Sequence, residues 1–271
     1  MLTLRAGPAG AVPEVPPGAE VWRDSDDRVA AFGFTVAGDR WMKLPGVASF
    51  RFSDGPEVTS FAEPGVSEER VLDAYRRTVL PMALQALGAE VLHASAVRMG
   101  EGVVGLCAVS QTGKSTVAYA LSRRGHRIVA DDAVPFDLSG PTPRALRLPF
   151  ELKLRPESAS FFGVSGRVTA SDHDDSDPAE LAALCVLERS HPSAPGGPVV
   201  VRRLEPASSF PRVLAHAYCF SLEPPERHVL MVERYLELVA RVPVFEVCLW
   251  PGLHNLDRVV DEIEGAVQAA A

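Results

Sequence analysis

Hydrophobic positions along this chain fall into two periods, and the switches between them mark the expected elements. From Arg28 to Phe61 short apolar runs alternate with polar residues across Gly-Asp and Asp-Gly turns, which predicts three or four antiparallel strands. The first ~20 residues are rich in Pro, Gly and Ala and read as a loose leader. From Ser67 the period becomes helical, with Val71, Leu72, Tyr75 and Val79 on one stripe. Pro81 lacks an N–H and is expected to kink or interrupt that helix. Strand-like runs recur at Val91 to Met99, Val103 to Val109, His126 to Ala130, Ala133 to Leu138, Leu181 to Leu187, Val199 to Val201 and Val244 to Leu249. Helices are expected at Ser208 to Cys219, Pro225 to Arg241 and from Asn255 to the end. The expected fold class is mixed α/β, with a β-rich N-terminal annex (residues 1–66) ahead of a larger domain (67–271).

The stretch VVGLCAVSQTGKSTVAYALSRRGHRIVADD, from Val103 to Asp132, carries the chemistry. An apolar run of strand length enters a turn, and the turn opens a helix with Val117, Ala118, Ala120 and Leu121 on one face. In a phosphate-binding loop, G-x-x-x-x-G-K-[ST], backbone N–H groups wrap phosphates, the Lys reaches the β- and γ-phosphates, and the hydroxyl binds Mg²⁺. Gly113, Lys114 and Ser115 meet that pattern, and Ser110, Gln111, Thr112 and Thr116 complete the candidate nucleotide-binding segment. Ala108 stands where the first glycine is usual, so its φ must be negative, and Gln111 must take an ordinary or a left-handed conformation. Gly113 is expected to be needed for space, since a side chain there would crowd the phosphates.

The helix is expected to stop at Arg123, Arg124 and Gly125, after which a short strand delivers Asp131 and Asp132. A right-handed crossover between paired parallel strands would put these carboxylates on the edge occupied by the loop. Two carboxylates beside Mg·nucleotide can divide the work, one holding the metal and the other accepting a proton from an attacking hydroxyl. The plainer alternative is a solvated Asp-Asp turn.

Three other features have competing readings. In RLPFELKLR, Leu148, Phe150, Leu152 and Leu154 alternate with Arg147, Glu151, Lys153 and Arg155, either as one buried and one solvated face or with a cation serving an anionic group. The acidic run from Ser171 to Glu180 reads as a solvated loop rather than a calcium loop, because it lacks the turn glycine. Cys107, Cys185, Cys219 and Cys248 lie in apolar segments without C-x-x-C spacing and read as reduced core residues.

Bulk properties narrow the class. A hydrophobic fraction of 46% in 271 residues supports a sizeable core. A net charge of −8 argues against broad nucleic-acid or anionic-membrane binding. No apolar run approaches the ~18 residues that span a bilayer, and the N-terminus has no signal-peptide core, so a cytoplasmic location is expected.

LHASAV, the GKST loop, ALSRRGH and IVADDAVPF together resemble the C-terminal catalytic domain of HPr kinase/phosphorylase and its stand-alone relatives. RRLEPASSFPRVLAHAYCF and VPVFEVCLWPGLHNLDRVVDEI look like later segments of the same relatives. The resemblance implies a P-loop mixed sheet and a Mg·ATP-dependent kinase acting on a hydroxyl, most plausibly serine of a protein or peptide. It implies catalytic roles for His93, Lys114 and Asp132, with Asp132 as proton acceptor, and metal ligation by Ser115 and Asp131. It leaves Glu151 and Glu157 as alternatives for a further metal-binding Glu. Where HPr kinase has His-Gly this chain has His93-Ala94, and the Pro- and Gly-rich arginine segment used for dephosphorylation has no counterpart. A small-molecule kinase and a non-catalytic nucleotide-binding regulator are the alternative functions. Neither the acceptor nor the oligomeric state is readable from the sequence.

Overall fold

The computed structural model describes residues 2–8, 12–24, 26–169, 178–189, 199–249 and 252–270. They form a mixed α/β protein that divides into two compact units, Met1–Ala89 with Tyr218–Val229, and Glu90–Ala217 with Leu230–Ala271. The first unit thus runs past residue 66 and takes in a segment from far down the chain. No helix among the described residues is long and apolar enough to cross a membrane. The acidic positions Ser171 to Asp177 lie outside the described residues.

The first unit holds a six-stranded sheet built from β1 (Thr3–Ala6), β2 (Glu20–Arg23), β3 (Val29–Val36), β4 (Asp39–Leu44), β5 (Ala48–Phe52) and β6 (Glu57–Ala62). The expected antiparallel run is β3 to β6. The leader is not loose throughout, because β1 joins β6 in parallel, and just beyond it β2 joins β3 antiparallel. Alternation places Phe34, Trp41 and Phe61 in one buried stack. Helix α1 (Glu68–Ala74) is capped by the Ser67 side chain, which accepts from the Arg70 N–H. A π turn over Tyr75–Val79 then leads into α2 (Leu80–Ala86). Pro81 is the cause, since it has no N–H to give to the turn below it, and the Leu80 N–H reaches back five residues to the Tyr75 carbonyl instead. The returning segment anchors itself through Phe220, whose ring meets Phe52 edge-on at 5.6 Å and whose N–H donates to Gln85 Oε1 at 2.8 Å.

The second unit contains β7 (Glu90–Leu92), β8 (Ala94–Met99), β9 (Gly102–Cys107), α3 (Lys114–Arg123), β10 (Arg127–Ala130), β11 (Val134–Asp137), β12 (Arg144–Ala145), β13 (Glu151–Lys153), α4 (Pro156–Phe162) and β14 (Arg167–Thr169). It continues with β15 (Ala179–Arg189), β16 (Val200–Leu204), α5 (Pro206–Leu214), most of α6 (Pro225–Arg241), β17 (Val244–Leu249) and α7 (Leu256–Ala270). Three sequence expectations are corrected here. The run Val91 to Met99 is two strands, broken at His93, because β7 leaves to pair with β11 while β8 pairs with β9 and β10. Helix α5 stops at Leu214, short of Cys219, and Ala217 instead bridges Leu92. Strands β9 and β10 are not neighbours, since β8 lies antiparallel between them.

That last correction preserves the consequence drawn from it. Being antiparallel to the same strand, β9 and β10 run the same way, as do β15, which pairs in parallel with β9, and β17, which pairs in parallel with β15. The C-terminal ends of β9, β10 and β15 and the N-terminal end of β8 therefore share one edge of the sheet. The apolar stripe of α3 (Val117, Ala118, Ala120, Leu121) and that of α7 (Val259, Val260, Ile263, Val267) bury together over one face. Arg124 and His126 meet Glu264 of α7 at 2.9 and 2.7 Å, tying the end of α3 to that helix.

Candidate functional site

The shared edge gathers His93 just before β8, residues 108–113 after β9, Lys114 and Ser115 at the start of α3, Asp131 and Asp132 after β10, and Arg189 at the end of β15. Ala108 is fully buried and lies outside the left-handed region, as its side chain requires. Gln111 adopts φ 72° and Gly113 φ 127°. A Cβ at Gly113 would meet no protein atom within 4 Å, and φ 127° is a backbone angle that L residues rarely adopt, so the glycine is required by its conformation. Arg189 holds the left-handed Gln111 in place, its Nη2 donating to the Gln111 carbonyl at 2.6 Å. Ser110 and Gln111 are exposed and Thr112 is buried. No side-chain hydrogen bond caps the N-terminus of α3, which presents its first-turn N–H groups and dipole to the loop.

Lys114 is 7% exposed. Its Nζ donates to the Ala108 carbonyl at 3.0 Å and to His93 Nε2 at 2.9 Å. Burial pushes its pKa below the usual lysine value, and the nearby Asp132 and Asp131 carboxylates oppose that shift. An ammonium offers donors alone, so His93 Nε2 accepts and the ring proton sits on Nδ1, which donates to the Asp132 carbonyl at 3.1 Å. His93 thereby links the loop lysine to the aspartate pair.

The two aspartates occupy different environments. Asp131 is 6% exposed, and its Oδ1 accepts from Ser95 Oγ at 2.5 Å and from Ser115 Oγ at 3.0 Å. Asp132 is half-buried and holds a left-handed φ of 66°, which aims its carbonyl at His93. Non-glycine residues in this region cost roughly 1–2 kcal/mol each, and both Gln111 and Asp132 stand at this edge. Thr116 turns away from the aspartates, its Oγ1 lying 2.9 Å from Ser158 Oγ on α4. Of the alternative glutamates, Glu151 pairs with Arg167 and Lys153 across β13 and β14, and Glu157 is exposed on the first turn of α4.

Ser95, Ser158, Arg189 and His216 reach this region without having been singled out by the sequence. Ser95 had a signal, two positions from His93 on an alternating run, whereas the others arrive through strand pairing and helix packing. The His216 carbonyl accepts the His93 N–H at 2.7 Å. The His216 pKa is lowered from 6.5 to about 4, first by burial and then by His93 and Lys114. Between pH 6.5 and 4 the unfolded chain takes up a proton that the folded chain refuses, so this contribution to stability is full above 6.5 and lost as pH falls toward 4. The loss should reach ~3 kcal/mol. Urea denaturation at stepped pH should therefore show a shallower fall between pH 6.5 and 4 for His216→Gln than for the wild type; parallel curves would refute the assignment.

No protein-family model matches the chain, and no curated protein sequence matches it. Among solved structures, the HPr(Ser) kinase/phosphatase from Coxiella burnetii is similar at 15% identity and a TM-score of 0.36, covering 66% of this chain and 94% of that one. The likeness is distant.

Proposed function

We propose that the second unit is a Mg·ATP-dependent kinase that transfers the γ-phosphoryl group to a hydroxyl, that of a serine in a protein or peptide. The observation that carries the reading is the meeting, on one sheet edge, of an uncapped helix start, a buried lysine and two aspartates of unequal burial. The donor set fits Mg²⁺, because Ser115 Oγ and the Asp131 carboxylate are hard oxygen donors already 3.0 Å apart. Mg²⁺ held there would supply positive charge against the negative charge that develops on the transferring phosphoryl group.

The chain's own groups divide the remaining work. Residues 110–116 supply N–H groups to the β- and γ-phosphates, aided by the dipole of α3. Lys114 leaves the Ala108 carbonyl and His93 for the phosphates, exchanging two neutral acceptors for anionic ones. Asp131, buried and bonded to Ser115, stays with the metal side. Asp132 is the accessible carboxylate and takes the proton of the acceptor hydroxyl. His93 positions Asp132 through its backbone carbonyl.

The loop itself supplies the test. Gly113→Ala forces an L residue to φ 127°, at a cost of ~1–3 kcal/mol, and should weaken ATP binding tenfold or more. Ala108→Gly and Gln111→Gly, singly or together, should change affinity by a few-fold at most. Calorimetric titration of ATP with Mg²⁺ and with EDTA reads all of these. A large gain in the double glycine variant would mean a decayed loop and would overturn the kinase reading.

A further inference from the structure

A second basic site lies on the same sheet, away from the loop. Alternation along β8 puts Val97 in the core beneath α3 and turns Ala96 and Arg98 to the opposite face. On β10, Ile128 packs into the helix-covered core and Arg127 and Val129 turn the other way. There Arg98, Arg127 and Arg147 line one pocket, whose walls are otherwise apolar, among them Val103, Val134 and Leu146. Arg98 and Arg127 stand directly opposite each other in the β8–β10 register, a like-charge pairing that by itself destabilises a sheet. The Arg98 Nε is buried with no hydrogen-bond partner. Arg127 and Arg147 have interaction partners of their own, so the orphaned donor belongs to Arg98.

The pocket reaches Ala130 and Val134, on either side of the aspartate pair, but none of the loop residues 108–113 lines it, and Arg98 and Arg127 stand at its far end. Arg127 begins β10 and Asp131 follows its end, which places them roughly 13 Å apart along the strand at ~3.3 Å per residue. Arg98 and Val103 likewise stand at the ends of β8 and β9 remote from the loop.

We propose that Arg98, with Arg127 and Arg147, forms a binding site for a small oxyanion, a carboxylate or a phosphate group, separate from the phosphate loop. An anion there supplies an acceptor for the buried Arg98 Nε, and the apolar walls strengthen the attraction by keeping water out. Planar guanidinium groups suit both oxyanion shapes.

The test uses the full chain carrying Lys114→Ala, which weakens phosphate binding at the loop, and follows thermal unfolding with sodium phosphate, sodium succinate or sodium chloride at matched ionic strength. Phosphate or succinate should raise the midpoint by roughly 3–6 °C over chloride at saturation, and whichever does so names the ligand's chemistry. Adding Arg98→Gln should abolish that rise, and Arg98→Met should abolish it while leaving the ligand-free midpoint at or above its parent, because a buried donor without an acceptor is gone. Equal effects of all three salts, or a rise that survives both Arg98 variants, would overturn the proposal. A ligand-free midpoint lowered by several degrees in both variants would also overturn it, since Arg98 would then be serving the fold itself.

Discussion

Asp132→Asn should lower phosphoryl transfer by roughly 10²–10⁴-fold, the range for loss of a general base, while ATP affinity stays within a few-fold of wild type. The substitution is unusually clean here. Asparagine tolerates the left-handed φ of 66° that Asp132 holds, so the backbone carbonyl that accepts from His93 keeps its place. What disappears is the carboxylate's capacity to take a proton. Single-turnover transfer from radiolabelled ATP, set beside calorimetric affinity for the nucleotide, separates the two effects. Turnover equal to wild type would remove Asp132 from the chemistry. Equal losses of affinity and turnover would recast it as a binding residue.

Removing the Lys114 ammonium should cost ATP roughly 10²–10³-fold in affinity, about 3–4 kcal/mol, as expected for two charge-assisted hydrogen bonds to phosphate. Lys114→Ala also leaves the Ala108 carbonyl and His93 Nε2 without their donor, so it should lose stability as well. Lys114→Met distinguishes the two consequences. It keeps the buried stem but not the donor to the Ala108 carbonyl and His93 Nε2, so the ligand-free chain should be more stable than Lys114→Ala yet equally poor at binding ATP. Urea denaturation and calorimetry on both variants provide the measurements. Wild-type affinity in either variant would mean that the loop does not hold phosphates.

Both experiments rest on residues that local pattern makes visible. The strand into the loop, the helix opened by Lys114 and Ser115, and the Asp131-Asp132 pair all follow from periodicity, because each lies within a stretch whose neighbours decide its conformation. The same holds for β3 to β6, for α6 over Pro225–Arg241, and for the interruption at Pro81, where a missing N–H acts whatever the tertiary context. Ala108 and Gln111 were legible as constraints, and the φ values then showed how each is met, one with negative φ and the other in the left-handed region.

Long-range pairing decided the rest. Nothing local says that β8 inserts between β9 and β10, that the strand over Val91 to Met99 breaks at His93, or that the leader and the residues just beyond it add β1 and β2 to a sheet, since hydrogen bonds across strands connect residues far apart in sequence. The site's supporting groups follow the same rule. Ser95 reaches Asp131 and Arg189 reaches Gln111 because β8 and β15 end on the edge where β9 and β10 also end. His216 meets His93 because α5 stops early enough for Ala217 to bridge Leu92. The arginine pocket is the plainest case. Arg147 stands out along the chain as a candidate partner for an anion, whereas Arg98 and Arg127 carry no local signal, and it is the antiparallel register of β8 and β10 that sets those two face to face. Local sequence could therefore specify the loop and its carboxylates, whereas the sheet's pairing order alone determined which distant side chains stand beside them.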